Sequence, residues 1–209
     1  EITIGLPKSL TAACGVDALT HCIEAYTVQL HQPITDALAL KGISMIAENL
    51  EKAYENGEDR EARRNMMIAS TIGGMAFISS NVGAVHAFAE TVGAWFDTPH
   101  GVANSLFLPY IMEFNIPACP ERFADIADAM GIEREESMSD EQYALKAVEY
   151  VKALNRKLNI PTIKEIKGIT EERFEAIAER SANNVLSNDN ARKITKEDYL
   201  ELLKKAYNE

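Results

Sequence analysis

The sequence has few cysteines, no long hydrophobic run and no excess of basic residues. Its three cysteines, Cys14, Cys22 and Cys119, show no CxxC spacing, which argues against a disulfide framework and fits a reducing cytoplasm. No continuous apolar run reaches the roughly 18 residues that a membrane span requires. The formal net charge of −11 over 209 residues disfavours binding to a phosphate backbone. We therefore expect a cytoplasmic protein that binds neither membranes nor nucleic acid.

A glycine-rich phosphate loop is also missing. The sequence contains no GxGxxG motif, and no segment after Ile4 alternates apolar and polar residues as a half-buried strand does. The glycine doublet Gly73-Gly74 lies in a helical stretch, where close helix packing is the simpler interpretation. The sequence thus predicts that this chain alone binds NAD(P) poorly.

The patterns that are present are helical. Apolar residues recur with the period of an amphipathic helix, and capping signals precede several of these segments. They predict an all-α domain of about eight to ten helices over residues 1–209. A division near Pro117 or Pro120 is the weaker alternative. The main predicted helical segments are Thr11–Val28, Pro33–Tyr54, Asp59–Ile72, Leu106–Phe114, Glu121–Met130, Ser139–Leu158 and helices opened by Thr170 and Thr195.

Asp17 and His21 are the first candidate metal ligands. They lie one helical turn apart in a predicted helix, so their side chains leave the same face. A carboxylate oxygen and an imidazole nitrogen can bind one metal ion at this spacing. The pair alone is weak, because an ordinary helix-surface ion pair has the same spacing.

Two of the other three histidines extend this set. His86 and His100 bracket a segment rich in small and apolar residues, which predicts that both are buried and need partners for their ring nitrogens. Pro99 and Gly101 flank His100 and favour a fixed chain direction with close packing. A turn between buried helices explains these two residues equally well. His31 precedes a helix start and is predicted to be an exposed loop residue.

Two long motifs resemble signatures of the iron-containing (group III) alcohol dehydrogenases. The first runs from Leu6 to Tyr26, and the second from Asn81 to Asn104. The match covers essentially the whole chain, whose helix-rich C-terminal part also fits the family. Members are about twice as long, so we expect this chain to be their C-terminal helical, metal-binding domain without the N-terminal dinucleotide-binding domain.

The resemblance implies one metal site held by Asp17, His21, His86 and His100. It implies Fe²⁺, with Zn²⁺ as an alternative that the same ligand set accepts. The metal would polarise the oxygen of a small alcohol, aldehyde or ketone, and NAD(P) in the full-length protein would exchange hydride. The resemblance leaves open whether the full-length protein forms a homo-oligomer.

Glu90 departs from the family pattern. Many members carry a second histidine one turn after the position of His86, where this sequence has Glu90. That histidine is usually assigned to proton relay or nicotinamide contact. Glu90 is therefore a candidate proton relay or a hydrogen-bond partner of a metal ligand, and a solvated glutamate is the simpler alternative.

Other functions fit the residues less well. A glycerol-dehydrogenase-like or dehydroquinate-synthase-like enzyme would share the fold. A metal-binding helical module without turnover is the alternative outside enzymes. A helical metal-dependent hydrolase also mixes histidine and aspartate ligands, but the adjacent His-Asp pair typical of such enzymes is missing here.

Overall fold

The computed structural model describes residues 2–209 and confirms the predicted all-α fold. Nine α-helices and four short 3-10 helices occur in these residues, with no strand among them. The α-helices are α1 (Lys8–Thr27), α2 (Pro33–Glu55), α3 (Arg60–Ser80), α4 (Ala84–Phe96), α5 (His100–Asn115), α6 (Pro120–Ala129), α7 (Asp140–Lys157), α8 (Phe174–Ala182) and α9 (Lys196–Asn208). The 3-10 helices are Ile116–Ala118, Ile163–Glu165, Glu171–Arg173 and Val185–Asp189.

Several helix starts follow the capping chemistry of the sequence. Ser139 Oγ accepts a hydrogen bond from the Gln142 amide at 3.2 Å, and the Gln142 side chain accepts one from the Ser139 amide at 3.0 Å. Thr195 and Asp198 repeat this reciprocal pair at the start of α9. Each pair satisfies backbone donors that the first helical turn leaves free. The structure differs at Thr170, which opens a 3-10 turn before α8 begins.

Small residues let α1, α2 and α3 pack closely. A Cβ atom at Gly42 would lie 2.5 Å from Cys22 Sγ, and one at Gly73 would lie 3.0 Å from the same atom. Gly73 is thus a point of close packing inside α3, and the helix continues beyond it to Ser80. Burial raises the pKa of Cys22 to about 12, which makes this thiol unreactive at neutral pH.

Helix α5 contains a proline in its interior without leaving a carbonyl unpaired. Pro109 has no N–H to donate to the carbonyl of Ser105, four residues earlier. The Asn155 side chain, from α7, donates to that carbonyl at 2.7 Å instead. A side chain from a neighbouring helix thus replaces the missing backbone hydrogen bond and ties α5 to α7.

The buried side chains form one continuous cluster. It runs from Ala12 in α1 to Ala206 in α9 and includes residues on both sides of Pro117. No single helix in residues 2–209 is long and apolar enough to cross a membrane; α3 and α4 pass that test only as a pair bent by 106°.

Candidate metal centre

The four predicted ligands meet where α1, α4 and α5 come together. Asp17 and His21 lie one turn apart on α1, His86 lies in the first turn of α4, and His100 is the first residue of α5. Donor atoms of Asp17, His21 and His86 all lie within 4.8 Å of one another. His100 Nε2 is 3.6 Å from Asp17 Oδ1. The structure thus brings all four side chains to one place, while their role as metal ligands stays a prediction.

The His21 ring has a fixed orientation. Its Nδ1 lies 2.8 Å from the Asp17 backbone carbonyl, which can only accept a hydrogen bond. Nδ1 therefore carries the proton, and Nε2 of the neutral ring presents a lone pair to the cluster. The ring of Phe77, from α3, packs against His21 with a centroid distance of 4.6 Å.

The His86 ring is held by a buried carboxylate. Its Nδ1 lies 2.5 Å from Glu24 Oε2, and Glu24 is 3% exposed. His86 Nε2 therefore also faces the cluster, 3.1 Å from His21 Nε2. With both Nδ1 atoms donating elsewhere, two nitrogen lone pairs face each other at a distance that is repulsive unless a cation lies nearby.

The pKa values of the two rings move in opposite directions. Burial lowers the pKa of His21, and the adjacent His86 lowers it further, so the net pKa lies below the usual value. Burial also lowers the pKa of His86, but the hydrogen bond and charge of Glu24 outweigh it and raise the net pKa. The donor set itself, three imidazoles and one carboxylate brought to one place, fits a divalent metal ion.

Asn104 connects the remaining ligands. Its Nδ2 donates to Asp17 Oδ1 at 2.6 Å and lies 3.1 Å from His100 Nε2 and 3.2 Å from His86 Nε2. Asn104 is fully buried, and its Oδ1 has no hydrogen-bond partner among residues 2–209. The buried amide of Asn104 thus contacts three of the four candidate ligands.

His100 differs from the expectation that it is buried. Its side chain is 50% exposed, because His100 begins α5 at the rim of the cluster directly after Pro99. The close packing predicted at Gly101 is confirmed. A Cβ atom there would lie 2.3 Å from the Ala13 carbonyl oxygen, so only glycine allows α5 to approach α1 this closely.

Glu90 and His31 lie outside the cluster. Glu90 is exposed, and its carboxylate accepts a hydrogen bond from the Asn184 side chain at 2.6 Å. It forms no hydrogen bond with the four candidate ligands in the described part of the chain, although its negative charge contributes to the raised pKa of His86. Its relay role stays a prediction. His31 is exposed, as predicted, and pairs with Asp36 at 3.2 Å.

Sequence reasoning assigned no role to Glu24 or Asn104. The signal for Glu24 was a lone charged residue in an otherwise apolar stretch, one turn after His21. The signal for Asn104 was its position one turn after His100, on the same helix face. Both residues lie within the two motifs, but their contacts with the candidate ligands depend on how α1, α4 and α5 pack together.

The fold and this cluster define a helical domain with a histidine-rich candidate metal centre, and comparisons with known proteins identify the family of the domain. A family model matches residues 11–207, and its description is "Fe-containing alcohol dehydrogenase family, C-terminal". Alcohol dehydrogenase 4 of Saccharomyces cerevisiae is 43% identical over 206 residues, which are 97% of this chain and 52% of that protein. The 1,3-propanediol dehydrogenase of Klebsiella pneumoniae is 40% identical, over 99% of this chain and 53% of the relative.

A solved structure gives the same result. The crystal structure of a 1,3-propanediol oxidoreductase superposes with a TM-score of 0.94 at 40% identity, covering 97% of this chain and 53% of that one. The chain belongs to the Fe-containing alcohol dehydrogenase family and corresponds to its C-terminal domain. It spans about half the length of the curated relatives that it matches.

Proposed function

We propose that this chain forms the metal-binding half of an oxidoreductase that interconverts a small alcohol and its aldehyde or ketone with NAD(P). The observation that carries the proposal is the pair of Nε2 atoms of His21 and His86, 3.1 Å apart with both Nδ1 atoms engaged elsewhere. The names of the relatives, which include alcohol and propanediol dehydrogenases, support the alcohol as substrate class.

Asp17, His21, His86 and His100 would hold one divalent metal. Three neutral imidazoles and one carboxylate suit Fe²⁺, which we propose here, and also Zn²⁺. A metal bound there supplies Lewis acidity that polarises the substrate oxygen. The half-exposed His100 leaves that side of the cluster open, so we propose that the substrate approaches there.

This chain would contribute one wall of the reaction site. The Phe77 ring, from α3, packs against the His21 ring and gives that side of the cluster an apolar neighbour. Glu90, exposed and one turn beyond His86, is our candidate for accepting a proton near the substrate. We propose that NAD(P) binds to a further domain equivalent to the half of the relatives that this chain does not cover.

Metal analysis of the purified chain tests the proposal. We expect about one Fe²⁺ or Zn²⁺ per chain by elemental analysis after equilibrium dialysis. His100→Ala should abolish tight binding because it removes one ligand. His31→Ala is the matched control, since His31 is exposed and lies outside the cluster. Equal metal content in the original chain and the His100→Ala variant would contradict the ligand set.

A further inference from the structure

Glu24 is a buried carboxylate placed directly behind a candidate metal ligand. It lies on α1 one turn after His21 and is 3% exposed. A buried carboxylate is costly unless its oxygens are paired. Among residues 2–209, His86 is the one basic residue whose side chain lies within ion-pair distance of Glu24. The basic partner of Glu24 in this part of the chain is thus a candidate metal ligand and no lysine or arginine.

Both oxygens of Glu24 point at the start of α4. Oε2 lies 2.5 Å from His86 Nδ1, and Oε1 accepts the backbone amide of Val85 at 2.8 Å. The Val85 amide belongs to the first turn of α4, where the helix dipole favours a negative charge. The carboxylate thus holds the ring and the backbone that carries it.

This arrangement determines what His86 presents to the cluster. A carboxylate accepts hydrogen bonds, so the proton of the neutral ring stays on Nδ1 and the lone pair stays on Nε2. The same contact fixes the plane of the ring. Glu24 also places a second negative charge behind His86, in addition to that of Asp17, and two negative charges balance a divalent metal ion.

We propose that Glu24 is a positioning residue that fixes the tautomer and orientation of His86 and balances the charge of a bound divalent metal. The proposal rests on the metal site proposed above. Glu24 does not reach the substrate in this arrangement, because His86 lies between it and the cluster. It acts through His86, and it should change metal affinity even where no reaction takes place.

The test measures Zn²⁺ affinity by competition with a chelator, for the original chain and for Glu24→Gln. Removal of the charge and of one acceptor should weaken Zn²⁺ binding about 10- to 100-fold, as loss of such hydrogen-bond partners does at other metal sites. Glu48→Gln is the control. It makes the same change of charge at an exposed position on α2, and its affinity should be unchanged.

A second readout reports on the ring itself. In the Zn²⁺-loaded chain, the NMR signal of the His86 Nδ1 proton should be strongly deshielded by Glu24 and should shift or disappear in Glu24→Gln. Gly83→Ala keeps the carboxylate but crowds it, since the new Cβ would lie 3.1 Å from Glu24 Oε1 and equally close to Asn190 Oδ1. This variant should weaken Zn²⁺ binding even if Glu24→Gln fails to fold.

The outcomes separate two hypotheses. If the original chain binds no Zn²⁺ or Fe²⁺, the proposed metal site is wrong. If the original chain binds Zn²⁺ and both Glu24→Gln and Gly83→Ala bind it equally tightly with an unchanged Nδ1 proton signal, the metal site stands and the role of Glu24 is overturned.

Discussion

The inner and outer sides of the candidate metal centre are built differently. On the inner side, His86 is 4% exposed and both of its ring nitrogens have a polar neighbour. On the outer side, His100 is 50% exposed, and the contacts of its Nε2 are with Asn104 and Asp17. One candidate ligand is enclosed by buried partners, and the other is half open to solvent.

This difference suits a catalytic metal site, which requires both rigidly held ligands and an open side. A rigid inner side lowers the entropic cost of binding the metal. An open outer side leaves room for an exchangeable ligand such as a substrate oxygen. Substitutions on the two sides should therefore affect different properties, and the following predictions test that difference in order of expected effect on the stability of the fold.

The largest effect is expected from His86→Ala in the metal-free chain. Loss of the ring leaves the buried Glu24 carboxylate without its side-chain hydrogen-bond partner, and breaking such a buried pair costs about 3–5 kcal/mol. His100→Ala should change the free energy of unfolding by less than about 0.5 kcal/mol, because its side chain is half exposed. Urea unfolding of both variants measures this difference. Similar losses of stability would mean that the two sides are equally rigid.

A smaller effect is expected from Gly101→Ala. The new Cβ would lie 2.3 Å from the Ala13 carbonyl oxygen and 2.7 Å from its carbon, so the backbones of α5 and α1 must separate. Such overpacking costs about 1–3 kcal/mol. The outer side would then be exposed in its side chains but tightly packed in its backbone.

Gly74→Ala is the matched control for this clash. Gly74 lies inside α3, and no atom lies within 4 Å of the position of its missing Cβ. Alanine in a helix interior is favoured over glycine by about 0.5–1 kcal/mol, so this variant should be stabilised. If both variants shift the urea midpoint in the same direction, the close approach of α5 to α1 does not limit stability.

The sequence predicted most of the helices from local patterns, and the set of four side chains came from the resemblance of two motifs to the family. Helical spacing relates Asp17 to His21, and capping residues mark the starts of α7 and α9. The rest depends on contacts between distant segments. Glu24 meets Val85 across 61 residues, and Asn155 reaches Ser105 across 50 residues. The periodicity of apolar residues along the sequence does not predict contacts between residues this far apart.

The half-exposed position of His100 was mispredicted for a related reason. Apolar neighbours in the sequence indicated burial, but His100 begins α5 at the rim of the cluster and is half exposed, whereas Ala84, the first residue of α4, is fully buried. Burial at a helix end depends on what covers that end, and local composition does not report this.

The smallest effect on stability is expected from Glu90→Gln, at an exposed position in the middle of α4. Glu90 is exposed and bound to Asn184, so the free energy of unfolding should change by less than about 0.5 kcal/mol and Zn²⁺ affinity should stay the same. Turnover is a different measurement. In a fusion of this chain to the N-terminal half of the Klebsiella relative, alcohol-dependent NAD(P)⁺ reduction should require His100. If Glu90 relays a proton, Glu90→Gln lowers the rate about 100-fold or more and removes one limb of the pH–rate profile. A purely solvated Glu90 would leave rate and profile unchanged, and Glu90 would then have no acid–base role.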